Sequence, residues 1–150
     1  MVEVIAVLLI IAVIVAVALI RGSGSSSNSI SVVSEAATLE SHLRFAQVKA
    51  LGETTTWGIQ VNSASYQLLN SGSPCNNLPN GSPCTLPAET SNTHTFAGGV
   101  TATPVTITFD NFGRPVDSSG NPLTTNTTIT LTCGTQTAAA NVLQTTGAIN

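Results

Sequence analysis

Apolar and polar positions divide the chain into regions of different period. Val4 through Ile20 form 17 consecutive apolar residues. As a helix extended by Met1 and Val2, the run reaches roughly 30 Å, the thickness of a bilayer's hydrocarbon core. It is rich in Val and Ile, mediocre helix formers in water. In lipid, however, a single segment can satisfy its own backbone polar groups only as a helix. The next stretch, Arg21-Gly22-Ser23-Gly24-Ser25-Ser26-Ser27-Asn28, has two glycines and four serines. That composition predicts a flexible, non-helical break over 22–29, including Gly22, Ser23, Gly24 and Ser25.

From Ile30 the period becomes helical. Val32, Ala36, Leu39, Leu43, Ala46 and Ala50 make one apolar stripe, with Glu35, Glu40, Ser41, Arg44 and Lys49 off it. This predicts an amphipathic helix over 30–52, supported by the i,i+4 pair Glu40–Arg44 and stopped at Gly52. Beyond it the period is two. Trp57, Ile59 and Val61 alternate, as do Tyr66 and Leu68, then Val105, Ile107 and Phe109, then Ile129, Leu131 and Cys133. Asp110-Asn111-Phe112-Gly113-Arg114-Pro115 reads as a turn, and Thr137 to Gln144 as a weaker last strand. The expected organisation is a hydrophobic helix over 1–21, a break over 22–29, a helix over 30–52 and a β-rich head over 53–150, one domain in all.

Composition narrows the function. Only 7% of residues are charged, the net charge is −3, and Ser plus Thr supply about a quarter of the positions. No basic footprint for nucleic acid is present. Few charges would have to be desolvated if copies of the chain packed together. Cys75 and Cys84, nine positions apart in the Pro/Asn/Gly/Ser-rich stretch 71–87, are spaced to bridge and restrain that loop. Cys133 is in phase with Ile129 and Leu131 and reads as a buried thiol. There is no Cys-x-x-Cys, and His42 and His94 are isolated in sequence, so a metal centre is not expected. His94, Asp110 and a serine could be written as a triad, but no nucleophile-elbow motif accompanies them. His94 reads instead as a loop or strand-edge residue, and Glu89 and Asp117 as solvated. No catalytic residue and no cofactor is expected. Asn80-Gly81-Ser82 and Asn126-Thr127-Thr128 fit the N-glycosylation triplet.

Glu3 is the anomaly, because an acid at the start of a spanning helix is costly without a partner or an interfacial position. Three readings compete. A cleavable signal is suggested by Ala16-Val17-Ala18 but lacks a positive n-region. A plain anchor would place Glu3 at the interface. In the third reading the segment packs among identical segments, and the carboxylate neutralises a neighbouring subunit's α-amino group.

Met1-Val2-Glu3-Val4-Ile5-Ala6-Val7-Leu8-Leu9-Ile10-Ile11-Ala12-Val13 resembles the start of type IV pilins and pseudopilins, which place one Glu shortly before a long apolar run. In that family the Glu stands fifth in the mature chain. The resemblance therefore implies two residues, a leader and its processing Gly ahead of Met1, and an N-methylated terminus. Leu43 to Leu51, Trp57-Gly58-Ile59-Gln60-Val61, Ile107-Thr108-Phe109-Asp110 and Gly113-Arg114-Pro115 resemble, more narrowly, the GspH/FimT group. The implied fold is α+β and pilin-like, a long N-terminal helix, hydrophobic in its first half, packed on a C-terminal antiparallel sheet head. Such pilins often lose helicity in the region of the predicted break when they assemble.

The implied function is polymerisation into a helical filament of the type IV pilus or type II secretion kind. Glu3, Val4, Leu8 and Ile11 would be subunit-assembly residues. Implied partners are copies of the chain, the inner membrane before assembly, a prepilin peptidase, an assembly platform and an ATPase; the filament would be extracellular or periplasmic. The alternative is a minor pseudopilin or tip subunit that binds a secreted substrate or DNA. Some of the GspH/FimT group bind DNA through a C-terminal Gly-Arg-x-Arg. This chain has Gly147-Ala148-Ile149-Asn150 there, so nucleic acid is not an expected partner.

Overall fold

The computed structural model describes residues 10–11, 25–78 and 80–150. Helix α1 runs Ser25–Gly52 and leads into nine strands: β1 Trp57–Val61, β2 Ser65–Asn70, β3 Ser73–Pro74, β4 Thr93–Thr95, β5 Thr101–Ala102, β6 Val105–Phe109, β7 Pro115–Val116, β8 Thr127–Cys133 and β9 Gln136–Val142. One sheet has the order β3-β2-β1-β6-β7, with β4 also on β2, and a second has the order β5-β8-β9. Every pairing is antiparallel. Helix α1 lies across both sheets, mainly over β1, β8 and β9.

The inner face of α1 is the stripe expected from the period. Val32, Ala36, Leu39, Leu43, Ala46 and Ala50 are all buried, and three of them are alanines, which let the helix approach the sheets closely. Against them pack Trp57, Ile59 and Val61 of β1, Ile107 and Phe109 of β6, Ile129 and Leu131 of β8, and Ala140 and Val142 of β9. Register makes this a common layer: Trp57 stands opposite Phe109, Ile59 opposite Ile107 and Val61 opposite Val105. The helix ends at Gly52, where sequence placed the stop. The turn after β6 is also where its residues predicted, with Gly113 at φ 74° and its N–H donated to Asp110 O.

The start of α1 differs from expectation. Ser25 to Ser29 are helical, so this part of the predicted 22–29 break is corrected, while Gly22, Ser23 and Gly24 lie outside the described residues. Propensity is overridden by tertiary contact. Asn28 packs against the β8–β9 turn at Gly134, and Ser31 against the Gly98 backbone. The hydroxyls that would compete for the backbone donate along the helix, Ser31 to Ser27 O at 2.9 Å and Thr38 to Ser34 O at 2.9 Å.

Cys75 and Cys84 are disulfide-bonded and both buried, which anchors the long β3–β4 connection to the core beside Leu86. Cys133 is a buried free thiol at the end of β8, donating to Gly98 O at 3.2 Å.

Gly58 sits mid-strand between β2 and β6. A Cβ there would drive into the backbone carbonyl of Ile107 and stand 2.8 Å from Thr108 Cα, atoms that cannot move aside without opening the β1–β6 ladder. Gly58→Ala should destabilise the protein by about 3 kcal/mol, comparable with other severe core changes. A urea midpoint equal to wild type would show that the ladder tolerates the methyl.

Candidate assembly surface and buried polar cluster

The outward side of α1 carries a second stripe of helical period: Ile30, Val33, Ala37, Ser41, Arg44, Val48 and Leu51 are all exposed. Ile30 is 71% exposed, Val33 60% and Val48 65%, so an apolar ridge faces outward at both ends of the helix. Arg44 is its one charge, donating to Ile149 O at 2.8 Å and pairing with Glu40 at 3.4 Å. Leu51 adjoins the β6–β7 turn at Gly113, where Phe112 is 67% exposed under the Arg114 guanidinium, 5.0 Å from its ring centroid. A helix apolar on opposite faces suits burial on both.

Of the assembly residues singled out from sequence, Ile11 is helical and half exposed. Glu3, Val4 and Leu8 lie outside the described residues. Among the described residues no helix is long and apolar enough to cross a membrane; nearly all of Val4–Ile20 falls outside them.

No family model and no curated protein matches the chain. Among solved structures it is similar to the type IV minor pilin FimU of Pseudomonas aeruginosa, with a TM-score of 0.53 and 19% identity over 79% of this chain and 86% of that one. The chain has the type IV pilin fold.

Within this head the charged groups are spent internally. Lys49 pairs with Glu53 at 3.6 Å and lies over the Phe45 and Trp57 rings, and Arg114 is held by Asp110 at 2.7 Å. With Arg44 bound as above, every Lys or Arg among the described residues has an acidic partner. Asp117, exposed as expected, caps its own turn through the N–H groups of Ser119 and Asn121. The C-terminal segment is folded down rather than free. Gln47 donates to Gly113 O and Thr146 O, and Ile149 is buried beside Val142.

The polar cluster was not legible in sequence. Glu35, on α1 off the apolar stripe, is buried, and its Oε2 meets His94 Nε2 at 2.8 Å while its Oε1 accepts from Ala97 N–H at 3.1 Å. Glu89, expected to be solvated, takes the other ring nitrogen, Oε1 to Nδ1 at 2.6 Å. His94 does lie on a short strand at the sheet margin, β4, as a strand-edge residue would. With a carboxylate on each nitrogen, both ring nitrogens donate and the ring is an imidazolium. Burial opposes that charge, but hydrogen bonds to Glu89 and then Glu35 outweigh it and raise the pKa above 6.5.

His42 is the opposite case. Its Nε2 donates to the carbonyl of Pro87 at 3.0 Å, so Nδ1 accepts from the Tyr66 hydroxyl at 2.7 Å and the ring is neutral. Burial lowers its pKa, partly offset by the Pro87 bond. Burial, with the Glu35 and Glu89 charges, also pushes the Tyr66 phenol up. Ala88, between Pro87 and Glu89, has φ 62°, a left-handed conformation that costs a non-glycine residue energy and is held here by the bonds on either side. The cluster thus stitches α1 to the 86–96 segment. The four ring nitrogens are committed to Glu35, Glu89, Tyr66 and Pro87.

The two histidines set opposite pH limits. Stabilisation from His94 is complete below its ordinary value of 6.5 and is lost as pH rises through the higher folded value. Stabilisation from neutral His42 is present above 6.5 and is lost as pH falls through its lower folded value. The thermal midpoint should therefore peak near the ordinary histidine pKa, within about pH 5 to 8. His94→Gln should flatten the alkaline side only, and Glu35→Ala should cost about 3 kcal/mol by leaving the ring charge half paired. A midpoint independent of pH over that window would remove the charged assignment of His94.

Proposed function

We propose that the chain is a structural subunit of an extracytoplasmic type IV pilus-like filament, polymerising through its N-terminal apolar segment. The observation that carries this reading is the outward stripe of α1. A pilin head presents there a nearly uncharged apolar ridge on the same helix whose chain leads back to Val4–Ile20. Burying such a ridge against a neighbour desolvates one charge, Arg44, which keeps its own hydrogen bonds to Glu40 and Ile149 O. The apolar segment holds the subunit in the inner membrane before assembly and then forms the filament core. Glu3 sets register by pairing with the next subunit's amino terminus, and Val4, Leu8 and Ile11 pack around it. A peptidase, a platform and an ATPase belong to this reading through the resemblance alone. Gly22, Ser23 and Gly24 supply the place where backbone can rearrange as subunits dock. The chain has no catalytic role in this reading, consistent with a polar cluster whose ring nitrogens are all engaged.

The second reading is a minor or tip subunit, favoured by the likeness to a solved minor pilin. DNA is a poor ligand for it, since Gly147 to Asn150 are folded against the head and the described cations are paired internally.

Peptide mass spectrometry of filaments sheared from the cell surface separates the readings. A main subunit dominates them, a minor one is present at trace level, and absence from filaments overturns both. Glu3→Ala should leave membrane insertion intact or improved and reduce filament yield, because the acid costs insertion energy and benefits only contacts between subunits. Wild-type filament yield from that variant would end the register role.

A further inference from the structure

We propose that Asn80 is a self-modification site, at which the backbone nitrogen of Gly81 displaces the side-chain amide and leaves aspartate or isoaspartate at the tip of the disulfide-closed loop. The two residues end a small hairpin. Asn77 bridges Pro83, Leu78 N–H donates to Ser82 O at 2.8 Å, and Cys84 N–H donates to Asn76 O at 3.1 Å. The Cys75–Cys84 bond closes its base, and both Asn80 and Gly81 are exposed at its tip.

The tip favours the reaction in three ways. Gly81 offers its nitrogen without a side chain beside it, and a Cβ built there meets nothing within 4 Å, so the approach is unhindered. Ser82 N–H donates to Asn80 Oδ1 at 3.0 Å, the oxygen on which negative charge develops as the nitrogen adds to Cγ. The bond that must first open, Gly81 N–H to Leu78 O at 2.8 Å, lies in an exposed turn, where local opening costs little. No other asparagine in the sequence is followed by glycine. Asn62 is also exposed, in the β1–β2 turn, but its neighbour Ser63 carries a side chain, and Asn121 precedes Pro122, which has no N–H to give.

Solvent base takes the Gly81 amide proton and the nitrogen bonds to Asn80 Cγ. The Cγ–Nδ2 bond breaks, and ammonia leaves with a solvent proton, closing a succinimide ring. Water then opens the ring. Attack at Cγ restores the original backbone with aspartate at 80; attack at the main-chain carbonyl carbon leaves the chain running through Cγ as isoaspartate. The sum is asparagine plus water to aspartate plus ammonia, with no change of oxidation state. Either product is ionised at neutral pH and adds negative charge to a chain of formal charge −3. Isoaspartate also inserts a methylene into the main chain between Leu78 and Ser82, so the hairpin loses its register. This hairpin covers the core edge, where Leu78 and Pro83 line a cavity of about 230 Å³ with Phe45, Lys49 and Trp57. Older molecules thus carry a charge and a loosened loop. The reaction belongs to the head alone and does not depend on the filament reading.

The test holds the full-length chain in detergent and mildly alkaline buffer for days. It follows the chain by isoelectric focusing and by peptide mapping that separates aspartate from isoaspartate. The expected result is a growing acidic form that co-migrates with Asn80→Asp, maps to Asn80 well ahead of Asn62, and appears faster as hydroxide concentration rises. Gly81→Ala should lose that form, because a methyl group hinders the attacking nitrogen. Asn80→Gln should lose it as well, with the Gly81 turn untouched. Three results overturn the proposal: Asn80 intact while Asn62 converts, conversion of Asn80 confined to the urea-unfolded chain, or the acidic form appearing in either variant at the wild-type rate.

Discussion

The contact between the inner face of α1 and the strands β1, β8 and β9 organises the head. An isolated helix of this composition, with serines in its first turns and β-branched residues on its surface, has little stability of its own. It is helical because Val32 through Ala50 close over Trp57, Ile59, Ile129 and Ala140, and the two sheets are joined because both lie under the same helix. The alanines of α1 and the alanine-rich β9 permit the close approach. Larger residues on either side would have to push the layers apart.

That arrangement leaves the opposite side of α1 exposed. Its outward residues are apolar or small except for Arg44, and every Lys and Arg among the described residues is paired within the head. A surface of hydroxyls and amides with an apolar ridge has little electrostatic repulsion to overcome when copies meet. Stability, in turn, draws on devices that do not occupy that surface. These are the Cys75–Cys84 bridge, the Arg44 and Gln47 bonds to the C-terminal segment, and the polar cluster around His94.

The cluster illustrates how two chemically identical side chains take opposite states. His42 and His94 have ring centroids 6.0 Å apart. One faces a carbonyl and a phenol and is neutral; the other faces two carboxylates and is charged. Their proximity also penalises double protonation, since a charge on His94 lowers the His42 pKa further.

The sequence by itself determined the elements whose signals are local. Stripe spacing placed the core face of α1, alternation placed β1, β2, β6 and β8, the run Thr137 to Gln144 read as a weaker strand overlaps β9, and the Gly113 turn and the close spacing of Cys75 and Cys84 identified a hairpin and a bridge. These depend on period, turn chemistry and short loop closure, all readable within a few residues. Tertiary structure alone decided what depends on residues far apart. Ser25 to Ser29 are helical because Gly98 and Gly134 lie beside the first turns, which composition does not reveal. Glu35, Glu89 and His94 read singly as surface or edge residues, and only the path of the 86–96 segment over α1 brings them within hydrogen-bond distance. The strands β3, β4, β5 and β7 are too short to carry a periodic signal, and they exist because longer neighbours offer them a ladder.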